Sequence, residues 1–580
     1  MGSVLIAASA FVAFILAYAL YGTFISKRIF NLGELCKCPS EELSDGRDYV
    51  PTKRHILFGH HFTSIAGAAP ILGPAIAVIW GWLPALLWIV FGSIFIGAVH
   101  DLGSLVVSTR CRGRSIGDVS QGVICSTART LFLLIIFFLV WVVLAVFVMV
   151  IAALFNMYPA SIFPIWFEIP LALWLGHMLY RQKGNAILWS VVAVILMYAS
   201  IYVGTRFPVE LSDPVFRFGG YSVSPLVFWI GVLFVYAYVA STLPVHRLLQ
   251  PRDYINSHEL YIGLAVIFVG LVVARPAIVA PALNANPVGA PSMIPFLFVV
   301  VACGAISGFH SLVASGTTSK QLACEADAKS IGYGSMLLEG ALATVALVAV
   351  AAGVGLGLKH GGEVLTGTAA WSAQYASWGA AEGLGAKVGA FVEGAANLIA
   401  ALGIPRDLAA TIVAVVLVSF AGTTLDTATR IQRYVVSELA QAHNVPFIGR
   451  THPATFVAVV SAAALAFSQQ GGKGGLRLWP LFGTTNQLLA GLALVTVTLY
   501  LAKRGKPIVY TLVPMLFVIA FTGWAMIGNL TGFIAKDNWF LSAVSGVILA
   551  LELWLIVEAI RAYARLRGML AAELPAEAGK

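Results

Sequence analysis

Charge is scarce in this chain. Asp, Glu, Lys and Arg make up 11% of its 580 residues, against roughly 25% in soluble domains. Apolar residues take their place, at 59%, and the mean hydropathy is +0.90. A large soluble domain is thereby excluded. Catalytic signatures are missing too. There is no G-x-x-x-x-G-K-[ST] loop, so no built-in ATPase, and no G-x-G-x-x-G between a strand and a helix. H-E-x-x-H is likewise absent, which argues against an enzyme. Gly353, Gly355 and Gly357 read as glycine within a membrane helix. The six cysteines (Cys36, Cys38, Cys111, Cys125, Cys303, Cys324) include no C-x₂-C pair, so neither a metal site nor a cofactor is expected from them. The first apolar run, Val4 to Phe24, lacks the basic flank and cleavage site of a signal peptide and is expected to stay as a helix. Ile6 stands where myristoylation needs Ser or Thr.

What remains is a succession of apolar runs, each matched to a bilayer core about 30 Å thick. Crossings are expected near 4–24, 60–79, 84–108, 129–154, 162–180, 186–204, 225–245, 258–274, 293–316, 332–357, 408–428, 452–469, 479–501, 508–528 and 540–560. The fold class is therefore an all-α polytopic membrane protein of about fifteen helices. With the N-terminus outside, 26 of the 35 basic residues fall on one side and 9 on the other. By the positive-inside rule that places the C-terminus in the cytoplasm. Counting 386–402 as a crossing would put Arg430, Arg433 and Arg450 outside, so it is expected to be interfacial or re-entrant. The chain divides into an N-terminal helix and loop (1–59), a first core part (60–357) and C-terminal helices (358–580). The net charge of +9 is topological; no basic–aromatic surface for nucleic acid accompanies it.

Within the second crossing, the stretch from Phe58 to Pro74 holds His60, His61, Gly67, Pro70, Gly73 and Pro74. Proline removes a backbone donor and clashes with the preceding turn. In hydrocarbon, the freed backbone groups are tolerated only beside protein or a water-filled cavity. The segment reads either as a helix broken at a binding site or as a plain proline kink. His60 and His61 read as gating groups or as interfacial histidines. Ionisable groups in a span mark functional sites by default. Asp101, beside His100, reads as a proton or cation site, or as a packing carboxylate satisfied by a neighbour. Glu339 lies inside the tenth crossing. Asp426 has Arg430 four residues on, the spacing of a local ion pair. Glu168, Glu393, Glu552 and Glu558 read as local pairs near helix ends. Ser307, Ser311 and Ser315 share one helix face if 293–316 is continuous, for close packing or for a cation, with His310 beside them. Asn486 and Gln487 begin a crossing, where capping or an interhelix bond suffices.

Several longer strings extend the pattern: Asp45-Gly46-Arg47-Asp48-Tyr49-Val50-Pro51-Thr52, the Phe58–Pro74 block, Val99-His100-Asp101 and Gly113-Arg114-Ser115-Ile116-Gly117. Further on come Leu243-Pro244-Val245 with Gln250-Pro251-Arg252-Asp253-Tyr254, then Ser307-Gly308-Phe309-His310-Ser311 with Ser315-Gly316-Thr317-Thr318. Thr423-Thr424-Leu425-Asp426 and Phe482 to Ala490 follow. Together the chain resembles the carbon starvation protein A (CstA) family over about 45–500. The resemblance implies a bacterial inner-membrane transporter that takes up peptides or small carboxylates such as pyruvate when carbon is scarce. It also implies a core of two inverted five-helix repeats, as in the amino acid–polyamine–organocation superfamily, with 60–79 and 225–245 as the broken helices. His100 stands where that family is expected to carry Gln.

On this reading Gly67, Ala68, Ala69, Pro70 and Gly73, with Ser241 and Thr242, bind substrate. Asp101, His310, Ser311 and Ser315 couple it to a proton or sodium ion, and His60 and His61 gate. The partners are a small-molecule substrate and the lipid bilayer, with a homo-oligomer left open. A nutrient sensor or a passive channel is the alternative.

Overall fold

The computed structural model describes residues 2–33, 37–182, 184–218 and 221–573. Cys36 lies outside them. Helices account for nearly all of the regular structure; the strands are two short antiparallel hairpins, Phe216–Phe218 with Tyr221–Val223 and Leu358–His360 with Glu363–Leu365. The helices that matter below are α1 (Ser3–Ala19), α2 (Arg54–Ile65), α3 (Ala69–Ala77), α4 (Ala98–Arg110), α5 (Ser126–Met157), α6 (Ile162–Gly176) and α7 (Pro225–Thr242). They continue with α8 (Leu249–Ala274), α9 (Met293–Val300), α10 (Gly308–Gly316), α11 (Ser335–Ala351), α12 (Leu384–Ala400), α13 (Arg406–Ala442) and α14 (Trp479–Lys503).

Twelve helices among the described residues are long and apolar enough to cross a membrane, and a bent pair makes thirteen. This is a polytopic membrane protein. The difference from fifteen has two sources. The 452–469 segment is a helix of only 17 residues, Thr451–Phe467. The 293–316 segment is not one helix but two short ones, α9 and α10, joined by non-helical backbone. One apolar core runs from Ala7 to Ala562. α5 and α14 lie at the centre: 78% and 94% of their spanning windows are buried, against 28% for the span that starts with α1.

Two breaks organise the interior. The first, at 66–68, bends α2 from the α3 span by 44°. It lies before the prolines rather than at them. Pro70 sits in the first turn of α3, where no intrahelical donor is needed, and so starts the helix. Pro74 is carried inside α3. The second break, at 301–307, separates α9 from α10. The 225–245 segment, expected to be broken, simply ends: α7 stops at Thr242 and Leu243, preceding Pro244, turns extended. α8 then starts nine residues earlier than the expected 258, taking Arg252, Asp253 and Asn256 into a buried helical turn.

Loops of the basic side meet at one end of the bundle. Asp48 accepts from Arg430 (2.7 Å) and Arg433 (2.9 Å), Arg110 pairs with Glu325 (2.5 Å), and Ser115 donates to Glu438 (2.7 Å). Burial works against the Asp48 carboxylate, but Arg433 and Arg430, with Lys320, hold its pKa well below the usual carboxylate range. At the opposite end Asn397, in α12, donates to the carbonyls of Gly353 (3.0 Å) and Gly357 (2.7 Å), and Arg406 reaches Gly357 at 3.3 Å.

Candidate functional site

The broken segments pack on each other through glycine. A Cβ on Gly73 would stand 2.7 Å from the Val300 carbonyl, where α9 ends. One on Gly67, in the first break, would stand 2.3 Å from Thr424 Oγ1 of α13. Either position excludes any larger residue. Around the second break, a Cβ on Gly97 would meet the Ala305 carbonyl at 2.3 Å, and one on Gly308 the Asn486 carbonyl at 2.2 Å. Seven residues of non-helical backbone are thus clasped between α3, the start of α4, α11 and α14. Backbone of that kind is stable at membrane depth only when protein surrounds it.

Asn486 closes the start of α10. Its Oδ1 accepts from the Phe309 amide (2.9 Å), and its Nδ2 donates to Ser307 Oγ (3.0 Å). His310, in the first turn of α10, is thereby fixed against Asp101. His100 Nδ1 lies 2.7 Å from Asp101 Oδ1, and His310 Nδ1 lies 3.0 Å from Asp101 Oδ2. On its other side His310 Nε2 is 3.2 Å from Glu339 Oε2 of α11. The four groups form a row, His100–Asp101–His310–Glu339, carried by three helices and wholly shielded from solvent. The last link is a close approach and not a hydrogen bond: His310 Nε2 and the Glu339 oxygens, like His100 Nε2 at the other end, have no hydrogen-bond partner among the described residues. Cys303 Sγ, His310 Nε2 and a Glu339 oxygen lie within 4.8 Å of one another, near enough to share a cation. Two imidazoles alternating with two carboxylates can pass or hold a proton, because imidazole both donates and accepts.

A second polar network lies along α2 and α8. His60 Nδ1 meets Asp253, and its Nε2 meets Gln321 at 3.2 Å. Gln250 donates to Gln321 (2.5 Å) and to Thr52 (2.8 Å). Ser64 and Thr427 bond at 3.1 Å, just before the first break. His61 Nδ1 stands 2.8 Å from Thr318 Oγ1. Both histidines are fully buried. A third network centres on Arg252, which pairs with Glu168 (3.1 Å) and Asp426 (2.6 Å) and donates to Tyr236 (2.6 Å).

The structure therefore brings Asp101 and His310 together, and places Gly67, Ala68, Ala69, Pro70 and Gly73 along the first break and α3. No side chain caps the N-terminus of α3. Ser241 and Thr242 lie elsewhere. They end α7, where Arg47 donates to the Thr242 carbonyl (2.8 Å) and Arg430 to that of Leu243 (2.6 Å). Arg430 is six residues beyond Thr424, about 9 Å along α13. Ser311 and Ser315 spend their hydroxyl protons on backbone carbonyls within or beside α10, at 2.7 and 2.6 Å. Ser315 Oγ also accepts from the Ile116 amide at 3.0 Å. Ser307 is extended, outside the helix, so the three serines do not share a helical face.

Asp426 does not pair with Arg430. It turns to Arg252 on another helix, while Arg430 takes Asp48. Glu168 likewise pairs across helices rather than locally. Sequence reasoning missed Asp253 and Arg252 because both were read as loop residues, and it passed over Glu168 as an end residue. The acidic residues in apolar runs were the available signal.

Comparison with known proteins follows the same lines. Residues 2–525 match the family of carbon starvation protein CstA. The chain is 32% identical to the peptide transporter CstA of Campylobacter jejuni, over 92% of this chain and 81% of that one. It is 32% identical to the pyruvate/proton symporter BtsT of Escherichia coli, over 88% and 80%. With the peptide transporter CstA of Bacillus subtilis the identity is 30%, over 98% of each. A solved manganese transporter of Eremococcus coleocola aligns over 90% of this chain and 99% of its own, at a TM-score of 0.49 and 12% identity. That likeness is too loose to bear on the site.

Proposed function

We propose that this chain, which belongs to the carbon starvation protein CstA family and is a membrane transporter and not an enzyme, imports peptides or small carboxylates such as pyruvate across a bacterial inner membrane, driven by a proton. The observation that carries this reading is the row His100–Asp101–His310–Glu339, buried where the second break meets α4 and α11. A row of titratable groups with unsatisfied ends, at membrane depth, is a costly arrangement for packing alone. The anionic end of the substrate meets the uncapped start of α3 at Ala69–Gly73, where the helix dipole favours negative charge and no fixed Arg is required. Loading and release of a proton at Asp101 and His310 then bias the broken segments between their two orientations, with His60 and His61 on the path. The N-terminus lies outside and the C-terminus in the cytoplasm, and import serves carbon starvation.

The proton is favoured over sodium for two reasons. The Ser315 oxygen already accepts from the Ile116 amide, and one relative is named as a proton symporter. Reconstitution in liposomes tests the reading. Labelled pyruvate or dipeptide should accumulate above equilibrium under an inward proton gradient. Equilibration without accumulation would make the protein a channel, and no flux of either solute would return it to the sensor reading.

A further inference from the structure

A groove of about 1020 Å³ opens sideways between α1, α8 and α11, with Phe58 of α2 among its lining residues. Along α8 it runs from Tyr254 to Phe268, which at the helical rise is about 21 Å. Phe11 and Phe268 stand at its far end, 5.2 Å between ring centroids. Its length is lined by Phe, Leu, Ile and Tyr, and α1 buries little of itself. An acyl chain of lipid fits such a channel in size and polarity. That alone would not discriminate among lipids.

The near end does. Arg54 and His55 line it, and the Arg54 side chain is 59% exposed. Arg54 Nε bonds Ser330 (3.0 Å), and its ion pair with Asp327 is long, at 3.7 Å. Lys329 bonds Thr23 (2.7 Å) and lies over the Tyr18 ring at 4.2 Å. Lys27 follows one turn beyond Thr23, and Lys53 precedes Arg54; both are exposed. Arg54, Lys329 and Lys27 thus lie near one another at the mouth of an apolar channel, and among the described residues Asp327 is the carboxylate paired with Arg54. The basic end of the bundle is where a phosphate headgroup would sit if the acyl chain lay along α8.

We propose that this groove is a binding site for an anionic diacyl phospholipid, its phosphate held by Arg54 and Lys329 and one acyl chain running along α8 to Phe268. The inference stands independently of the transported solute. Because Phe58 and Tyr254 border both the groove and the His60–Asp253 network, a bound lipid braces α2 below the first break.

The test uses the purified full chain in nanodiscs containing equal phosphatidylglycerol and phosphatidylcholine, followed by lipid retention in native mass spectrometry. Each Lys or Arg near an anionic surface contributes about a fivefold preference, so phosphatidylglycerol should be retained well above its share. Arg54→Gln combined with Lys329→Gln should return retention to the composition of the disc. Ala265→Trp, at an exposed position within the groove, should reduce retention of lipid while leaving the cations in place. Retention of both lipids in proportion to the disc would overturn the proposal, as would enrichment that survives the double variant. A dimer that the Trp variant splits would overturn it too, by showing a second copy as the occupant.

Discussion

Two of the buried ionic networks in this bundle differ in what they can do. Around Arg252, a guanidinium that cannot lose its proton is held by Glu168, Asp426 and Tyr236. Around Asp101, the partners are two imidazoles, and both ends of the row lack hydrogen-bond partners among the described residues. The first is a fixed brace between α6, α8 and α13. The second can change its charge state with little movement of atoms. Burial of charge therefore does not by itself identify a transport site. The ability of the buried groups to exchange a proton does.

Substitutions can break that contrast, and the largest effect falls outside both networks. Gly67→Leu drives a side chain into Thr424 and Phe147 at the first break and abolishes uptake while the protein still inserts in the membrane. Normal uptake by that variant would remove the break from the transport site. Arg252→Gln strands Glu168 and Asp426 and costs about 3–5 kcal/mol, read as a lowered thermal midpoint. The pH profile of the remaining uptake stays that of the wild type. A shifted profile would mean that the brace is part of the coupling path.

Asp48→Asn costs less, about 2 kcal/mol, because Asp48 is partly exposed where it joins Arg430 and Arg433. Its pKa is held low in the fold, so its contribution is complete above the unfolded carboxylate value of about 3.9. It is lost only as pH falls through the lower folded value. The difference in thermal midpoint between wild type and variant should then stay constant from about pH 7 to about pH 5; a difference that shrinks across that range would contradict the low pKa. Ser315→Ala has the smallest effect, about 1 kcal/mol for the lost bond to Ile116. Uptake should be unchanged with or without sodium. Sodium-dependent loss would restore the hydroxyls as a cation site.

The sequence made some of this legible and hid the rest for identifiable reasons. Hydropathy located the thirteen candidate spans together with two segments, 293–316 and 452–469, that do not qualify, and the cost of charge in hydrocarbon pointed to Asp101 and His310. Gly67 and Gly73 read as parts of a broken helix and a substrate site, and nothing in their spacing names the groups that pack on them. The break itself was displaced, because Pro70 begins a helix as readily as it ends one. Arg252 and Asp253 looked like a loop because a polar helical turn buried by other helices has the same composition as one in water. The partner of Asp426 was invisible for a related reason. Spacing offers Arg430, but the tertiary fold supplies Arg252 and leaves Arg430 to Asp48. Hydroxyl spacing misled in the same way, since the helix that would align Ser307 with Ser311 starts only at Gly308.

The central claim is that the Asp101 row carries the coupling proton, faced by His100, His310, Glu339 and Cys303. The most direct measurement is uptake of labelled pyruvate and dipeptide into liposomes by wild type and Asp101→Asn, across pH and with an imposed proton gradient. The account predicts that the variant loses accumulation above equilibrium, by about tenfold or more, equivalent to ~1.4 kcal/mol of coupling, and retains downhill flux that no longer follows pH. Accumulation with an unchanged pH profile in Asp101→Asn would contradict it.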